Sequence, residues 1–223
     1  MINGLQRYNI IAVGGGGHAK VLIGILKSLS QYRLIGYTDN ANRGDILGIP
    51  YLGPDQILGE MIAQFPLCNA ALGVGKISIG DNRIRLLDML SQKGFRLPTI
   101  VSPYASVSED VLIGMGSVVF TNAVINPGTI VGKGSILNTN STVEHDCQIG
   151  DDVHIAPGAT ISGGVFIGKG CIIGTGANII QGIHIAEYCF VGAGAVVICD
   201  LLRPGIYAGN PARQIHPSER NSS

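Results

Sequence analysis

The sequence predicts an α/β, Rossmann-like N-terminal domain followed by an all-β domain, a parallel β-helix of hexapeptide repeats. Two observations support this prediction. Strand-prone and helix-prone segments alternate through the first part of the chain, and from Val101 to Val197 every sixth residue is Val, Ile or Leu. We therefore expect one domain over residues 1–98, a second over 99–215 and a flexible tail over 216–223.

The N-terminal segment predicts strands and helices in strict alternation. Residues 8–13 are strand-prone, the glycine run 14–17 interrupts them, and residues 19–29 carry aliphatic side chains at helical spacing. Further strands are predicted at 33–38 and 70–74, and further helices at 55–63 and 79–92. This order is typical of a small parallel sheet.

The glycine run fits a nucleotide-binding fingerprint. Gly14, Gly16 and Ala19 have the required spacing, and Asp39 ends the second predicted strand, where an acidic residue can meet a ribose. Glycines let the backbone approach a phosphate, which a helix N-terminus favours. The segment is too short for a full dinucleotide fold, and a tight packing turn without a ligand is the alternative.

The repeat predicts a triangular prism in which three hexads close one coil. The aliphatic residue should point inward, beside a small residue four positions later, where Ile183 is the large exception. The position directly after the aliphatic residue is often Gly or Asn, and we expect positive φ there. These residues are Gly114, Gly132, Gly150, Gly168, Gly174 and Gly192, with Asn126 and Asn138.

Composition narrows the class of partner. Lys plus Arg and Asp plus Glu number 15 each, so nothing in the charge favours nucleic acid or an anionic membrane, and a small substrate is expected. No apolar run approaches a membrane span and no signal-peptide pattern opens the chain, which favours a cytoplasmic protein. Cys147, Cys171 and Cys189 fall in the small-residue position and are expected to pack; Cys68 and Cys199 lack metal-ligand spacing.

The hexads resemble those of the left-handed β-helix acyltransferases, which usually work as trimers, and the left-handed winding is taken from that resemblance. With the N-terminal motifs included, residues 8–215 resemble the bacterial sialic-acid O-acetyltransferase and nucleotide-4-aminosugar N-acetyltransferase family. The motifs are Val13-Gly-Gly-Gly-Gly-His-Ala19, Tyr37-Thr-Asp39, Ala71-Leu-Gly-Val-Gly75 and Asn82-Arg83. The resemblance implies that a nucleotide sugar contacts Gly16, Gly17, His18, Asp39, Asn40 and Gly75.

One hexad departs from the repeat in a way that suggests chemistry. Glu144, His145 and Asp146 stand in a row where an undecorated hexad has a glycine corner, and a solvated corner is the alternative interpretation. The resemblance implies that His145 is the catalytic base and Asp146 its carboxylate partner, with Glu144 and Asn138 as lesser candidates for orienting or contacting the substrate. An imidazole, with a pKa of about 6.5, can take the proton of an amine attacking acetyl-CoA. Direct attack is expected, because no nucleophilic Ser or Cys accompanies the histidine.

The resemblance also implies an acetyl-CoA site. His154 should contact acetyl-CoA, and the backbone around Thr175 and Ala193 should continue the groove. A surface histidine is the alternative for His154. The segment 205–213 resembles the closing loop of hexapeptide acyltransferases and leaves Arg213 available for a phosphate. His184 and His216 receive no role.

The expected function is acetyl-CoA-dependent N-acetylation of the 4-amino group of a nucleotide-linked 4-amino-4,6-dideoxy sugar. The product would serve a surface glycan such as O-antigen (lipopolysaccharide), capsule or glycoprotein, and the active sites would lie between the subunits of a homotrimer. Sialic acid O-acetylation is the runner-up, and sugar binding without catalysis ranks lower. A zinc enzyme like the γ-class carbonic anhydrases is disfavoured, because His145, His154 and His184 do not reproduce that ligand spacing, so no metal is expected.

Overall fold

The computed structural model describes residues 7–215, and its N-terminal part is a parallel sheet flanked by helices. The 4-stranded sheet has the order β3-β2-β1-β4. The strands are β1 (Tyr8–Val13), β2 (Tyr32–Thr38), β3 (Tyr51–Gly53) and β4 (Asn69–Leu72), and the helices are α1 (Gly17–Ser28), α2 (Leu58–Gln64) and α3 (Asn82–Gln92). A short 3₁₀ turn, Asp55–Ile57, precedes α2. The predicted tail, 216–223, lies outside the described residues.

The alternation predicted for this domain is confirmed, with three differences. Helix α1 begins at Gly17, inside the glycine run, because Gly16 is extended and serves as its N-cap. Helix α3 begins at Asn82 instead of residue 79, because Gly80 has a φ of 147° that a helix cannot contain. Strand β3 was not predicted, since three residues are too few for a periodic pattern.

The repeat folds into a parallel β-helix with three faces. Strands stack in steps of one coil, so that Ile149 pairs with Val131 on one side and with Ile167 on the other. The first face has the order β5-β8-β11-β14-β17-β20, the second β6-β9-β12-β15-β18-β21 and the third β7-β10-β13-β16-β19. Pairing at this interval confirms the expected three hexads per coil.

Each hexad contributes one short strand. The strands are β5 (Ile100–Val101), β6 (Ser106–Val107), β7 (Leu112–Ile113), β8 (Val118–Val119), β9 (Val124–Ile125), β10 (Ile130–Val131), β11 (Ile136–Leu137), β12 (Thr142–Val143), β13 (Gln148–Ile149), β14 (His154–Ile155), β15 (Thr160–Ile161), β16 (Phe166–Ile167), β17 (Ile172–Ile173), β18 (Asn178–Ile179), β19 (His184–Ile185), β20 (Cys189–Val191) and β21 (Val196–Val197). The last strands of the described residues are β22 (Gly205–Ala208), parallel to β20, and β23 (Arg213–Ile215), antiparallel to β22.

The last residue of each hexad strand points into the core of the prism, as predicted. From Val119 to Val197 these aliphatic side chains are buried, and Cys147, Cys171 and Cys189 pack beside them as small apolar residues. Val101, Val107 and Ile113 are only partly buried, because the first coil has no coil below it. At the other end Tyr207 and Ala212 of the closing segment join the core.

The prediction that the residue directly after each aliphatic residue has a positive φ is wrong. Positive φ occurs two positions later than expected, at Gly134, Asp146 and equivalent corner residues. Glycine directly after the aliphatic residue is instead required by the next coil, since a Cβ on Gly150 would lie 2.7 Å from the backbone nitrogen of Lys169. The same close approach affects Gly114, Gly132, Gly168 and Gly174; Gly192 is less crowded.

The N-terminal domain covers the first face of the prism. Leu22 and Leu26 of α1 share an apolar cluster with Ile100, Val118 and Ile136, which point outward from that face. Helix α3 lies at the edge between the third and first faces, where Leu87 leaves no room for a Cβ on Gly116. No helix in the described range 7–215 is long and apolar enough to cross a membrane.

Candidate functional site

A cavity of about 470 Å³ opens at the carboxyl ends of β1 and β4. These strands are neighbours in the parallel sheet, so the turns that follow them meet at one edge, the usual ligand site of such sheets. The cavity is lined by Gly14, Gly15, Gly16, Gly17, His18, Asp39, Gly73, Val74, Gly75, Lys76, Ile77, Ser78, Gly80, Asn82 and Arg83.

Most of the predicted nucleotide-sugar residues lie at this cavity. Gly16, Gly17, His18, Asp39 and Gly75 line it, whereas Asn40 is exposed and lies outside its lining. A Cβ on Gly16 or Gly17 would meet nothing within 4 Å, and no side chain caps the helix that starts there. The first turn of α1 therefore presents free N–H groups, which suit an anionic group.

The Asp39 side chain stabilises the glycine turn through hydrogen bonds. Its Oδ2 accepts a hydrogen bond from the Gly15 N–H at 2.7 Å and its Oδ1 accepts one from the Ala41 N–H at 2.9 Å. Burial raises the pKa of this carboxyl, but the two N–H donors and the nearby Arg43 guanidinium outweigh burial and hold the pKa below its ordinary value. Asp39 thus stays ionised and fixes the turn, and its contact with a ribose remains a prediction.

His18 is held as a neutral imidazole between the two domains. Its ring packs edge-on against Phe120 of the β-helix, with the ring centroids 5.1 Å apart. Burial, and then the positive charge of Arg83, lower its pKa from 6.5 to about 3. Its buried Nε2 has no hydrogen-bond partner among residues 7–215, so this atom can serve a ligand in the cavity.

A buried ion cluster that the sequence did not predict lies at the wall of the cavity. Lys76 and Arg83 of the N-terminal domain face Asp152 of the β-helix, at distances of 2.7 Å and 3.5 Å between nitrogen and oxygen. The three side chains are at most 5% exposed. Nothing in the sequence distinguishes Asp152 from other polar corner residues, because its partners come from another domain.

His154 connects the domains through both ring nitrogens. Its Nδ1–H donates to the carbonyl oxygen of Lys76 at 2.7 Å, and its Nε2 accepts from the Asn138 amide at 3.1 Å. Since a carbonyl only accepts, the ring carries its proton on Nδ1. Burial and the charges of Arg83 and Lys76 lower its pKa against the effect of this hydrogen bond. Asn138, predicted as a candidate for orienting or substrate contacts, is therefore a partner of His154.

His145 and Asp146 form the expected pair on an exposed corner between β12 and β13. Their Nδ1 and Oδ2 atoms are 2.8 Å apart, with the side chains 64% and 73% exposed. The Nε2 edge of the ring lies over Gly163 of the next coil, where a Cβ would approach it to 2.5 Å. The Glu144 carboxylate accepts a hydrogen bond from the Asn126 amide at 2.8 Å.

A single chain does not bring His145 into the cavity. All the residues that line the cavity in the described part of the chain belong to the N-terminal domain. That domain covers the first face, while His145 lies on the corner between the second and third faces. In a triangular prism this corner is the one opposite the covered face.

Two of the three predicted cofactor residues lie on another corner, after the strands of the first face, whereas His154 lies in strand β14 of that face. Thr175 and Ala193 are exposed on successive coils, where the Gly194 N–H donates to the Thr175 carbonyl at 2.9 Å. Arg213 lines a separate cavity of about 310 Å³ beside the closing segment. Residues 7–215 contain no group of three or more His, Cys, Asp or Glu side chains arranged to hold a metal.

Two families match parts of the chain. Residues 9–87 match the PglD N-terminal domain, and residues 128–163 match the bacterial transferase hexapeptide (six repeats). The chain is 35% identical over 112 residues to the UDP-N-acetylbacillosamine N-acetyltransferase of Bacillus subtilis (strain 168). That match covers 50% of each protein, so the chain spans about half the length of this curated relative.

Solved structures resemble the chain over nearly its whole length. The acetyltransferase domain of PglB from Neisseria gonorrhoeae FA1090, in complex with acetyl coenzyme A, is 35% identical with a TM-score of 0.86, covering 94% of this chain and 100% of that one. PerB from Caulobacter crescentus, in complex with CoA and GDP-perosamine, is 32% identical with a TM-score of 0.85, covering 93% and 97%. The chain therefore belongs to the family of bacterial hexapeptide-repeat sugar acetyltransferases that carry a PglD N-terminal domain.

Proposed function

We propose that this protein transfers the acetyl group of acetyl-CoA to the 4-amino group of a nucleotide-linked 4-amino-4,6-dideoxy sugar. The proposal assigns nucleotide-sugar binding to residues 1–98 and acetyl transfer to residues 99–215. It is supported by the relatives named above, which include an enzyme solved with CoA and GDP-perosamine and one solved with acetyl-CoA. The cavity beside the free N-terminus of α1 has the position and size to hold the nucleotide sugar.

The observation that carries the mechanism is the 2.8 Å contact between His145 Nδ1 and Asp146 Oδ2. This contact keeps the proton on Nδ1 and leaves Nε2 free to accept a proton from the attacking amine. The amine nitrogen bonds to the thioester carbonyl carbon and its proton passes to His145. The carbon–sulfur bond then breaks, and CoA leaves as a thiol that receives this proton. Asp146 stabilises the imidazolium between the two steps.

We propose a homotrimer with each active site between two subunits. His145 lies on the corner opposite the covered face, far from the cavity of its own chain. This position supports the proposal that His145 acts on the sugar bound in the cavity of a neighbouring chain. On the third face the outward side chains of Leu112, Ile130 and Phe166 are 63%, 50% and 38% exposed and offer apolar surface for subunit contact, with Gln148 between Ile130 and Phe166.

The proposed acetyl-CoA site follows the groove beside His154, Thr175 and Ala193. Both ring nitrogens of His154 already form hydrogen bonds, to the Lys76 carbonyl and the Asn138 amide. Acetyl-CoA would therefore contact the carbon atoms of that ring. The cytoplasm is the proposed compartment, because nucleotide sugars and acetyl-CoA are made there, and a surface glycan is the proposed destination of the product.

The test is a direct assay of acetyl transfer. The protein is incubated with acetyl-CoA and UDP-, GDP- or dTDP-linked 4-amino sugars, while free CoA is followed and the product mass is measured. For at least one of these sugars we expect the release of free CoA and a product whose amino group carries the acetyl group. Acetylation of sialic acid alone would favour the runner-up, and nucleotide-sugar binding without CoA release would favour a binding protein. Either result would contradict the proposal.

A further inference from the structure

The buried ion cluster gives a residue of the β-helix a part in acceptor binding. We propose that Asp152 is a positioning residue for the nucleotide sugar, acting through Lys76 and Arg83 in the wall of the cavity. Asp152 itself lies outside the cavity lining. The inference rests on the proposed function and adds to it a residue that touches no substrate.

Lys76 is held at two points. Its Nζ donates to Asp152 Oδ2 at 2.7 Å and to the carbonyl oxygen of Gly80 at 2.9 Å. The side chain is only 3% exposed, so it has no solvent-facing alternative while these contacts persist. The loop of residues 73–80, which we call the cavity loop, is thereby closed on itself and tied to the β-helix.

Arg83 connects the same parts of the molecule. One terminal nitrogen donates to the carbonyl oxygen of Val74 in the cavity loop, and the other donates to the carbonyl oxygen of Gly134 in the β-helix at 3.0 Å. Its Nε faces Asp152 Oδ1 at 3.5 Å. Asp152 is therefore the one anion that both cations share in this cluster, one on each carboxylate oxygen.

The backbone of the cavity loop is fixed by the same coil. His154, two residues after Asp152, donates its Nδ1–H to the carbonyl oxygen of Lys76. One coil thus holds Lys76 by its side chain through Asp152 and by its backbone through His154. This double attachment points to a requirement for a fixed position of Lys76, since burying a salt bridge gives little stability by itself.

The charges of the cluster favour an anionic ligand. Lys76 and Arg83 carry two positive charges against one negative charge on Asp152, which leaves one positive charge in excess at the cavity wall. A nucleotide sugar carries a diphosphate, and buried cations attract it more strongly than exposed ones because solvent screens them less. Asp152 keeps these cations at the wall.

Neutralising Asp152 would have two opposed effects on diphosphate binding. Removing a negative charge would strengthen binding if the charge count alone mattered. Releasing Lys76 would weaken binding, because a freed ammonium turns towards water and the cavity loop loses its attachment. We expect the second effect to dominate, since Lys76 Nζ has its short ion pair with Asp152 and only a neutral carbonyl as its other partner.

The experiment measures the binding of UDP, GDP and dTDP, and separately of acetyl-CoA, by calorimetry on the full chain. Asp152→Asn should weaken the diphosphate that the wild type binds by about tenfold or more, and change acetyl-CoA affinity by less than about twofold. Asp151→Asn is the matched control: it removes the same charge from the same corner, where Asp151 instead accepts from the Lys133 N–H. The control should bind all ligands like the wild type.

Asp152→Asn leaves the buried ammonium of Lys76 without its carboxylate, which could prevent folding. The double variant Asp152→Asn/Lys76→Gln removes both charges, so it can be tested if the single variant fails to fold. Compared with the wild type, it should also bind the diphosphate about tenfold or more weakly and change acetyl-CoA affinity by less than about twofold, because Asp152 and Lys76 act through one contact. Unchanged or tighter diphosphate binding in a folded Asp152 variant would overturn the inference, as would an equal loss of acetyl-CoA binding. A wild type that binds none of the diphosphates would overturn the proposed function as well.

Discussion

At the scale of single residues, the pair of His145 and Asp146 carries the proposed chemistry. His145→Ala should lower kcat by roughly 10²- to 10⁴-fold, because the amine loses its proton acceptor. The fold should be retained, since the side chain is 64% exposed. Asp146→Asn should cause a smaller loss, and asparagine tolerates the φ of 58° at this corner. Steady-state kinetics and circular dichroism measure both effects; wild-type kcat in His145→Ala would remove this residue from the mechanism.

His18 should make stability depend on pH. Its pKa is about 3 in the folded chain and about 6.5 when unfolded, so between these values the unfolded state binds a proton that the folded state does not. The stability that neutral His18 contributes is therefore complete above pH 6.5 and is lost as pH falls towards 3. In His18→Gln the loss of unfolding free energy between pH 7 and pH 5 should be smaller than in the wild type by about 1–2 kcal/mol.

Denaturant unfolding of both proteins at pH 7 and pH 5 measures this difference. His154, whose pKa is also lowered, is present in both proteins and cancels in the comparison. Equal losses in the wild type and His18→Gln would mean that His18 is not buried as a neutral ring.

The residues that sequence could identify are those whose partners are local or belong to a motif. Asp146 follows His145 directly, so their contact could be predicted without knowing the fold. The glycine run predicted a ligand site, and it lines the cavity. Lys76 and Asp152 were missed, and Arg83 was recognised only as part of a motif, because the contacts of these residues join segments that are far apart in sequence. Gly163 was missed for a related reason: it lies one coil after His145, and only the stacked coils place it under the ring.

At the scale of elements, a glycine of the β-helix should respond to substitution differently from a glycine in an α-helix. Gly150 should resist substitution, because a Cβ would lie 2.7 Å from backbone of the next coil, and backbone cannot turn aside as a side chain can. Gly150→Ala should therefore destabilise the protein by about 1–3 kcal/mol. A Cβ on Gly59, in helix α2, would meet nothing within 4 Å. Gly59→Ala should therefore stabilise the protein by about 0.5–1 kcal/mol.

Chemical denaturation of Gly150→Ala and Gly59→Ala against the wild type tests this contrast, and the two changes should have opposite signs. If Gly150→Ala proved neutral, the coils would not approach each other as closely as described. The period of six predicted the strands and the core at this scale. It did not predict which corner position is crowded, since that depends on the spacing between coils and not on the local sequence.

At the scale of the whole molecule, the N-terminal domain and the β-helix share one apolar interface. The sequence predicted both domains from their different periods, but not how they pack, because contacts such as those of Leu22 with Ile136 have no local pattern. This packing puts the cavity on the side of the first face and leaves His145 on the opposite corner. If His145 is the base for this cavity, as we propose, a complete active site requires two chains.

The central claim is that the cavity of one subunit and His145 of another form one active site. It can be tested by co-expressing two inactive variants with different tags and purifying assemblies that contain both. His145→Ala keeps its cavity but lacks the base. Gly17→Phe keeps the base and blocks the cavity, because the side chain would enter the open space at the first turn of α1.

The measurement is the rate of CoA release by the mixed assemblies, compared with each variant alone. In a trimer that contains both variants in either ratio, one of the three sites combines an intact cavity with an intact neighbouring His145, so we expect about a third of the wild-type rate, while each variant alone stays inactive. Mixed assemblies that contain both variants and release no CoA above the single variants would contradict the claim, because the cavity and the base would then have to come from the same chain.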